Sequence, residues 1–371
     1  MSIAPGLLPE GLRDRLPPQA EAGSRLLHRV IVAIGKHGYA RVSPPLAEFE
    51  EGLVGQLKSA RAQDLLRFVD PVSQRTLALR PDITAQVGRI AVSRMAHRPR
   101  PLRLAYGGPV LKLRATQLRP ERELTQAGAE LIGTDNLAAV IEVLQVAIEA
   151  LQIAGVTGIT VDLTLPDLVE TLASGAMPLE PGKVDAVRKM LDAKDAGGLA
   201  SLGAQNYLPF IEAAGPAATA LERLRAIPAV AALDRRIDAI EAIMAAIGGD
   251  VTLTIDPTER HGFEYQTWIG FSLFGQGLSG EIGRGGSYTV LHPDGREERA
   301  IGFSVYIDPL VDVGLGVVTR QTVFLPLGTD PAVAAKLRDE NWTTIAALGA
   351  DDSAAVLGCT HILSEGSPKP I

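Results

Sequence analysis

The sequence predicts an α+β fold: a mixed, mostly antiparallel sheet flanked by helices, followed by a small C-terminal α/β unit. Three observations predict it. Apolar residues recur at helical spacing in residues 19–36 and 137–153. Short apolar runs interleaved with glycine, at 251–255, 265–274 and 280–290, read as strands, the last two antiparallel, with glycines allowing bulges or close backbone approach. The chain has 371 residues, 46% of them hydrophobic, so it exceeds one average domain and can bury a large core. A core of residues 1–318, carrying a helical insertion at about 166–249, and a terminal unit of 319–371 are expected.

The first helix follows Pro17-Pro18, carries Leu26, Leu27, Val30, Ile31 and Ile34 on one stripe, and meets Gly38 where it should end. Residues 39–42 read as a short strand stopped by Pro44-Pro45, which cannot donate to a ladder. Residues 68–72 and 76–79 form a hairpin around Ser73-Gln74-Arg75. A turn at Pro81 leads into a helix with Val87, Ile90, Ala91 and Met95 on one side. The helix 137–153 starts at Asp135 or Asn136, either of which can cap it. Residues 166–249, rich in Ala, Leu and charged residues and broken by glycines, read as several helices and not as strands. The terminal unit holds a strand (Val323-Phe324-Leu325), a helix through 332–338 and a second apolar stretch at 343–348.

Composition narrows the classes. The net charge of -7 supplies no whole-molecule basic field for nucleic acid, which argues against a tRNA-binding enzyme and leaves a local basic patch open. The single cysteine, Cys359, permits no internal disulfide and no cysteine-rich metal site, and reads as a buried thiol. No apolar run is expected to span a membrane, and the first residues lack the pattern of a secretory signal, so the cytoplasm is expected. There is no G-x-x-x-x-G-K-[ST] loop and no dinucleotide fingerprint, and the GRGG at 283–286 lies in an expected strand. No metal-ligand spacing and no Ser/His/Asp arrangement stands out.

The chemistry concentrates in residues 106–133, YGGPVLKLRATQLRPERELTQAGAELIG. Strand parity puts Leu124, Gln126, Gly128, Glu130 and Ile132 on one face. Gln126 and Glu130 then flank Gly128, which is expected to leave an open spot for a small ligand. A carboxylate there suits an ammonium or an imidazole N–H, and the amide donates or accepts. A solvated sheet face would show the same alternation, and taken alone the segment favours it. Asp82 and Thr84, after Arg80-Pro81, would likewise serve as helix caps.

The frame around Gln126 and Glu130 tips the balance toward a ligand. Tyr106, Gly108, Pro109, Arg122, Gln126, Gly128, Glu130 and Gly133 fall where the ATP-binding hairpin of histidyl-tRNA synthetases, a class II aminoacyl-tRNA synthetase family, has the same residues. Residues 11–18, 39–45 and 47–52 resemble the motif 1 region, which lies at the dimer interface in that family. Asp82-Ile83-Thr84 resembles Glu-X-Thr, whose acid and threonine contact the amino acid's ammonium group. Arg260-His261-Gly262-Phe263-Glu264-Tyr265 resembles the histidine-recognition motif Arg-Gly-Leu-Asp-Tyr-Tyr, with Gln266 replacing the second tyrosine and His261 in the register of the catalytic arginine. Gly285, Gly286 and Tyr288 match motif 3, with Ser287 at its arginine.

The departures share a theme. Lys112 replaces an arginine and Arg114 a glutamate of the nucleotide clamp, and Pro309 stands where an arginine stacks on adenine. Proline offers neither cation nor donor, and Asp308-Pro309 reads as a cap followed by the first helical residue. Lysine keeps the charge but loses the bidentate fork, leaving weak phosphate contact open. The terminal unit is too short for the synthetase's anticodon-binding domain.

A class II core with retained amino-acid positions, altered ATP positions and no anticodon domain resembles the regulatory subunits of ATP phosphoribosyltransferase, a family paralogous to histidyl-tRNA synthetase. The resemblance implies a class II synthetase-like fold, no catalytic residue, no metal and no cofactor. It implies histidine-binding residues Asp82, Thr84, Lys112, Gln126, Glu130, Glu264, Tyr265 and Tyr288. It implies as partners the short-form ATP phosphoribosyltransferase catalytic subunit and L-histidine, with a homodimer inside a hetero-oligomer, and neither membrane nor nucleic acid. An active histidyl-tRNA synthetase-like enzyme and a free-standing histidine-binding regulator remain the alternatives.

Overall fold

The computed structural model describes residues 6–54, 65–114, 120–228, 231–260 and 266–371, residues 231 and 232 by backbone alone. The chain forms two compact units, Met1–Gly316 and Val317–Ile371.

In the first unit α1 (Gln19–Lys36) buries Leu26, Val30 and Ile34, as its stripe predicts, and ends before Gly38, whose φ of +83° suits glycine. The strand β1 (Ala40–Arg41) follows, then β2 (Ala47–Phe49), α2 (Glu50–Val54), β3 (Leu66–Val69) and β4 (Thr76–Leu79). The last two are the expected hairpin, and with β2 they form a three-stranded sheet in the order β2-β4-β3. Next come α3 (Thr84–Val92) and the paired strands β5 (Leu102–Leu111) and β6 (Glu123–Ile132), the hairpin that carries Gln126 and Glu130.

The helix α4 (Leu137–Ala154) is capped by Asn136, whose side chain accepts the Ala139 N–H at 3.0 Å, and closes on Gly155 at φ +97°. It is long and apolar enough to cross a membrane by length and composition, against the expectation that no segment is. Its position accounts for that: Val140, Val143, Leu144, Ala147 and Leu151 are fully buried in the core shared with α1 and the sheet.

The strand β7 (Thr160–Thr164) precedes the helical region: α5 (Leu168–Ala173), α6 (Val184–Asp192), α7 (Ala196–Ser201), α8 (Leu208–Glu212), β8 (Gly215–Pro216), α9 (Ala217–Ala226) and α10 (Ala231–Ile247). The region is not wholly helical, because β8 pairs with β9 (Thr252–Ile255). As β7 and β9 run parallel, this region is their crossover connection. The strands β10 (Gln266–Phe274), β11 (Gly283–Leu291) and β12 (Glu297–Tyr306) and the short α11 (Asp308–Asp312) complete the unit.

Nine of the described strands make one sheet, in the order β1-β5-β6-β12-β11-β10-β7-β9-β8. Parity sorts its two faces. Ala127, Ala129, Leu131, Ile301, Phe303 and Val305 point into the core under α1 and α4, whereas Leu124, Ile132, Tyr288, Val290 and Ala300 face α3. Gln126 and Glu130 share the α3 face.

The second unit has β13 (Thr322–Leu325), α12 (Pro331–Asp339), β14 (Thr343–Ala346), β15 (His361–Ser364) and β16 (Ser367–Pro370), in sheet order β14-β13-β15-β16. Asp330 caps α12 by accepting the Ala332 N–H at 2.8 Å. Val323 and Leu325 pack on Ala334 and Leu337 of that helix, while Phe324 packs on Ala354 and the buried free Cys359.

Candidate functional site

Sheet register builds the floor of the site. Glu130 of β6 pairs with Gly302 of β12, Gly302 with Gly286 of β11, and Gly286 with Gly270 of β10. One carboxylate is thus followed by three glycines in a row across adjacent strands. Glycine is required because polar side chains lie over the floor: a Cβ at Gly302 would strike the Glu130 carboxylate, and one at Gly270 or Gly286 would strike the Gln266 carboxamide. Gln266 Nε2 donates to the Gly285 carbonyl at 2.7 Å, which holds the amide flat. Above the floor lies a shallow, half-open cleft, lined in part by Thr84, Glu130, Gln266, Arg284, Tyr288 and Ser304.

Glu130 is 1% exposed, and its two oxygens have separate donors. The Tyr106 hydroxyl donates to Oε1 at 3.0 Å and the Tyr288 hydroxyl to Oε2 at 2.7 Å. Burial pushes its carboxyl up to about 8 from an ordinary 4.5, against the lowering effect of the Tyr288 hydrogen bond and with a further push from the Asp82 charge. Burial also raises the Tyr106 phenol well above its usual range, with Glu130 adding to the rise. The acid therefore sits protonated at neutral pH and is ready to ionise against a cation or a strong N–H donor.

The solvated-face alternative fails, since Gln126 and Glu130 are both fully buried. One sequence expectation changes. Gly128 does not leave an open spot: the Tyr106 hydroxyl fills it, 2.5 Å from where a Cβ would stand. The open space lies instead over the strands beyond, between Glu130 and Gln266.

Asp82 and Thr84 enter from the start of α3. Asp82 Oδ1 accepts the Thr84 N–H at 2.7 Å, and Oδ2 accepts from Gln126 Nε2 at 2.7 Å. One carboxylate thus secures the helix start and orients the amide. Gln126 also donates to Ser304 Oγ at 2.6 Å and accepts the Ile83 N–H at 3.0 Å, so it holds Asp82 and Ser304 in place from behind the cleft wall. Thr84 reaches the wall itself, its hydroxyl 3.2 Å from that of Tyr106. Arg80 is buried and donates to the carbonyls of Pro44 and Pro109, at 2.9 and 2.8 Å, tying Pro44-Pro45 to the hairpin.

Of the residues expected to hold ligand, Thr84, Glu130 and Tyr288 line the cleft, and Asp82 and Gln126 stand one contact behind. Lys112 is not among the residues that line the cleft, and its Nζ stands 5.4 Å from the centre of the Tyr306 ring. Glu264 and Tyr265, with His261, fall outside the described residues. Sequence reasoning did not assign Ser304, Gln266, Arg284 or the Tyr106 hydroxyl to the site. For Tyr106 the signal was available: once 106–133 is a hairpin, tyrosine falls opposite glycine.

The positions expected to have lost nucleotide contacts are occupied otherwise. Ser287 is buried, its Oγ accepting the N–H groups of Trp268 and Ile269 at 3.2 Å each. Asp308 does not cap α11, since Ile307 is the cap residue and Pro309 sits in the first turn. The Asp308 carboxylate instead accepts the Thr125 N–H at 2.5 Å and pairs with Arg15 at 2.8 Å. Among the described residues no group of three His, Cys, Asp or Glu could hold a metal.

A family model described as Histidyl-tRNA synthetase matches residues 11–310. The chain is 44% identical over 381 residues to the ATP phosphoribosyltransferase regulatory subunit of Rhodospirillum centenum, the alignment covering 100% of this chain and 98% of that one. Among solved structures, an ATP phosphoribosyltransferase regulatory subunit/histidyl-tRNA synthetase from Bacillus halodurans C superposes with a TM-score of 0.79 at 24% identity, covering 96% of this chain and 97% of the other. A chain of an ATP phosphoribosyl transferase complex from Thermotoga maritima matches with a TM-score of 0.59 at 16% identity, covering 77% and 97%. At such identities the two structures speak for the fold alone.

Proposed function

The chain belongs to the ATP phosphoribosyltransferase regulatory subunits, within the histidyl-tRNA synthetase family, and from that premise we propose that its cleft binds L-histidine and reports it to a catalytic partner. The observation that carries the reading is Glu130: a buried carboxyl, held by two tyrosine hydroxyls, at the end of a glycine floor. Imidazole offers such a group an N–H, and a polar pocket of this kind penalises a ligand that cannot pair with it. The Thr84 hydroxyl at the cleft wall, with the Asp82 charge one contact behind it, suits the α-ammonium group.

As a regulatory subunit the chain leaves catalysis to its partner. We take that partner to be the short-form catalytic subunit of ATP phosphoribosyltransferase, held in a cytoplasmic hetero-oligomer around a homodimer of this chain. The Thermotoga maritima chain of like fold comes from a structure described as an ATP phosphoribosyl transferase complex, which supports a hetero-oligomer. Histidine then acts by linkage: it shifts the assembly toward whichever arrangement binds it more tightly, and by no more than that difference in affinity. Feedback is reciprocal, so engagement of the catalytic subunit changes histidine affinity by the same factor.

The test is a pull-down of the catalytic subunit, followed by an ATP phosphoribosyltransferase assay with and without histidine. Full activity only in the complex, with histidine inhibition that the Glu130→Ala variant loses, is expected. Equal histidine affinity for the inhibited and active complexes would sink the linkage. Histidine-dependent pyrophosphate exchange or charging of histidine tRNA would favour a synthetase instead.

A further inference from the structure

Arg284 shares a face of β11 with Gly286 and Tyr288, and its side chain forms part of the cleft wall. Its partner in the ladder is Ser304 of β12. That places it one row from the Glu130–Gly302–Gly286 floor and one row from the pair Gln126–Tyr306. Ser304 Oγ is the acceptor of Gln126 Nε2, and Ser304 and Thr84 line the same cleft as Arg284. Strand β11 is two strands from β6, about 10 Å apart in the sheet, and both Glu130 and Arg284 line the cleft.

The cation is held in place. Arg284 Nε donates to Glu281 Oε1 at 2.5 Å, and Ser272 Oγ donates to Glu281 Oε2 at 2.9 Å. Both charged side chains are largely buried, at 15% and 11% exposure. A long side chain fixed in this way loses little further freedom when it meets a ligand. Guanidinium is also the cation that matches a carboxylate in two-point geometry.

An amino acid brings a carboxylate on the same carbon as its ammonium group, and that carboxylate needs a partner once it leaves water. The arginine positions suggested by resemblance are taken by Lys112, whose Nζ stands over Tyr306, and by Ser287, which is bound to backbone of β10. Resting on the reading of the cleft as an amino-acid site, we propose that Arg284 binds the α-carboxylate of the ligand, with Glu281 as its positioning residue. The cleft is then bipolar: Arg284 and Thr84, the latter positioned by Asp82, meet the two charged groups on the α-carbon, and Glu130 with Tyr288 reads the side chain.

Calorimetry on the full chain with L-histidine, with histamine, which lacks the carboxylate, and with imidazolepropionate, which lacks the ammonium group, tests this. In the unaltered protein histidine is expected to bind at least tenfold tighter than histamine. Arg284→Gln should weaken histidine and imidazolepropionate roughly 10–100-fold, the loss expected for a charged hydrogen-bonding group, and leave histamine within about twofold. Arg284→Lys should recover part of the loss, and Glu281→Gln should weaken histidine less than Arg284→Gln does. Unchanged histidine affinity in Arg284→Gln, or equal losses for histidine and histamine with no recovery by lysine, overturns the assignment. If the unaltered protein binds none of the three ligands, the amino-acid reading of the cleft fails first and takes this inference with it.

Discussion

Tyr106 faces Gly128 directly across the β5–β6 ladder, and its hydroxyl occupies the space that a side chain at position 128 would need. From there it reaches Glu130 at 3.0 Å, Ser304 at 2.8 Å and Thr84 at 3.2 Å. A phenol has one proton to donate, so the other neighbours must donate to it or share. Removing it leaves buried oxygens of three side chains short of a partner. Tyr106→Phe is expected to cost about 1–3 kcal/mol of stability and to weaken histidine binding, although the hydroxyl stands behind the cleft. Chemical denaturation and calorimetry on the same variant check both. No loss of stability would mean that the hydroxyl is dispensable to the network.

Gly302 is a steric requirement. An added Cβ would meet both the Glu130 carboxylate and the Ala129 carbonyl, and backbone cannot step aside. Gly302→Ala should destabilise by about 1–3 kcal/mol, the range for overpacked sites, and displace Glu130 from the floor. Gly35 is the control, for nothing lies within 4 Å of a Cβ there and it sits within α1. Gly35→Ala should raise stability by about 0.5–1 kcal/mol. Melting temperatures that move the same way in both variants would refute the steric account.

Much of this architecture is legible in the chain. The stripes of α1 and α4 and the alternation in β6 state helix, strand and buried face, because each depends on neighbours three, four or two residues away. What sequence cannot state is pairing between distant strands. The glycine floor joins Gly302, Gly286 and Gly270, which become one feature only after β10, β11 and β12 align. Arg284 enters the site for the same reason. Asp308 misleads, since Asp-Pro ahead of an apolar run is a sound helix-start pattern, yet this carboxylate finds the Thr125 N–H and Arg15 instead.

That Asp308 arrangement makes its own prediction. The carboxylate is 8% exposed and Arg15 22%, so the pair is shielded from solvent on one side. Asp308→Ala removes the partner of the Thr125 N–H as well as that of Arg15, and about 2–4 kcal/mol should be lost. Arg15→Ala should cost less, because Arg15 carries only part of the load. In a double-mutant cycle the two should fail to add by more than about 0.5 kcal/mol. Additive losses would show that the Thr125 contact alone matters.

Glu130 makes the site sensitive to pH, and the sign follows from its position. In the folded protein its carboxyl titrates at about 8, against an ordinary 4.5. Below the lower value folded and unfolded chains both hold the proton, and Glu130 adds no pH dependence. Between the two values the unfolded chain releases the proton and the folded one keeps it. Stability therefore falls as pH rises through this window, by on the order of a few kcal/mol, and levels off above it. Glu130→Gln should flatten that part of the profile. A ligand that pairs with the ionised carboxylate must expel its proton at pH 7, so affinity should climb toward pH 8 by at most about tenfold per unit. Calorimetry at pH 7 in two buffers of different ionisation heat measures the released proton directly. Release in the unaltered protein and none in Glu130→Gln is the expected result. Equal release in both would move the titrating group away from Glu130, and with it the acid that reads the ligand.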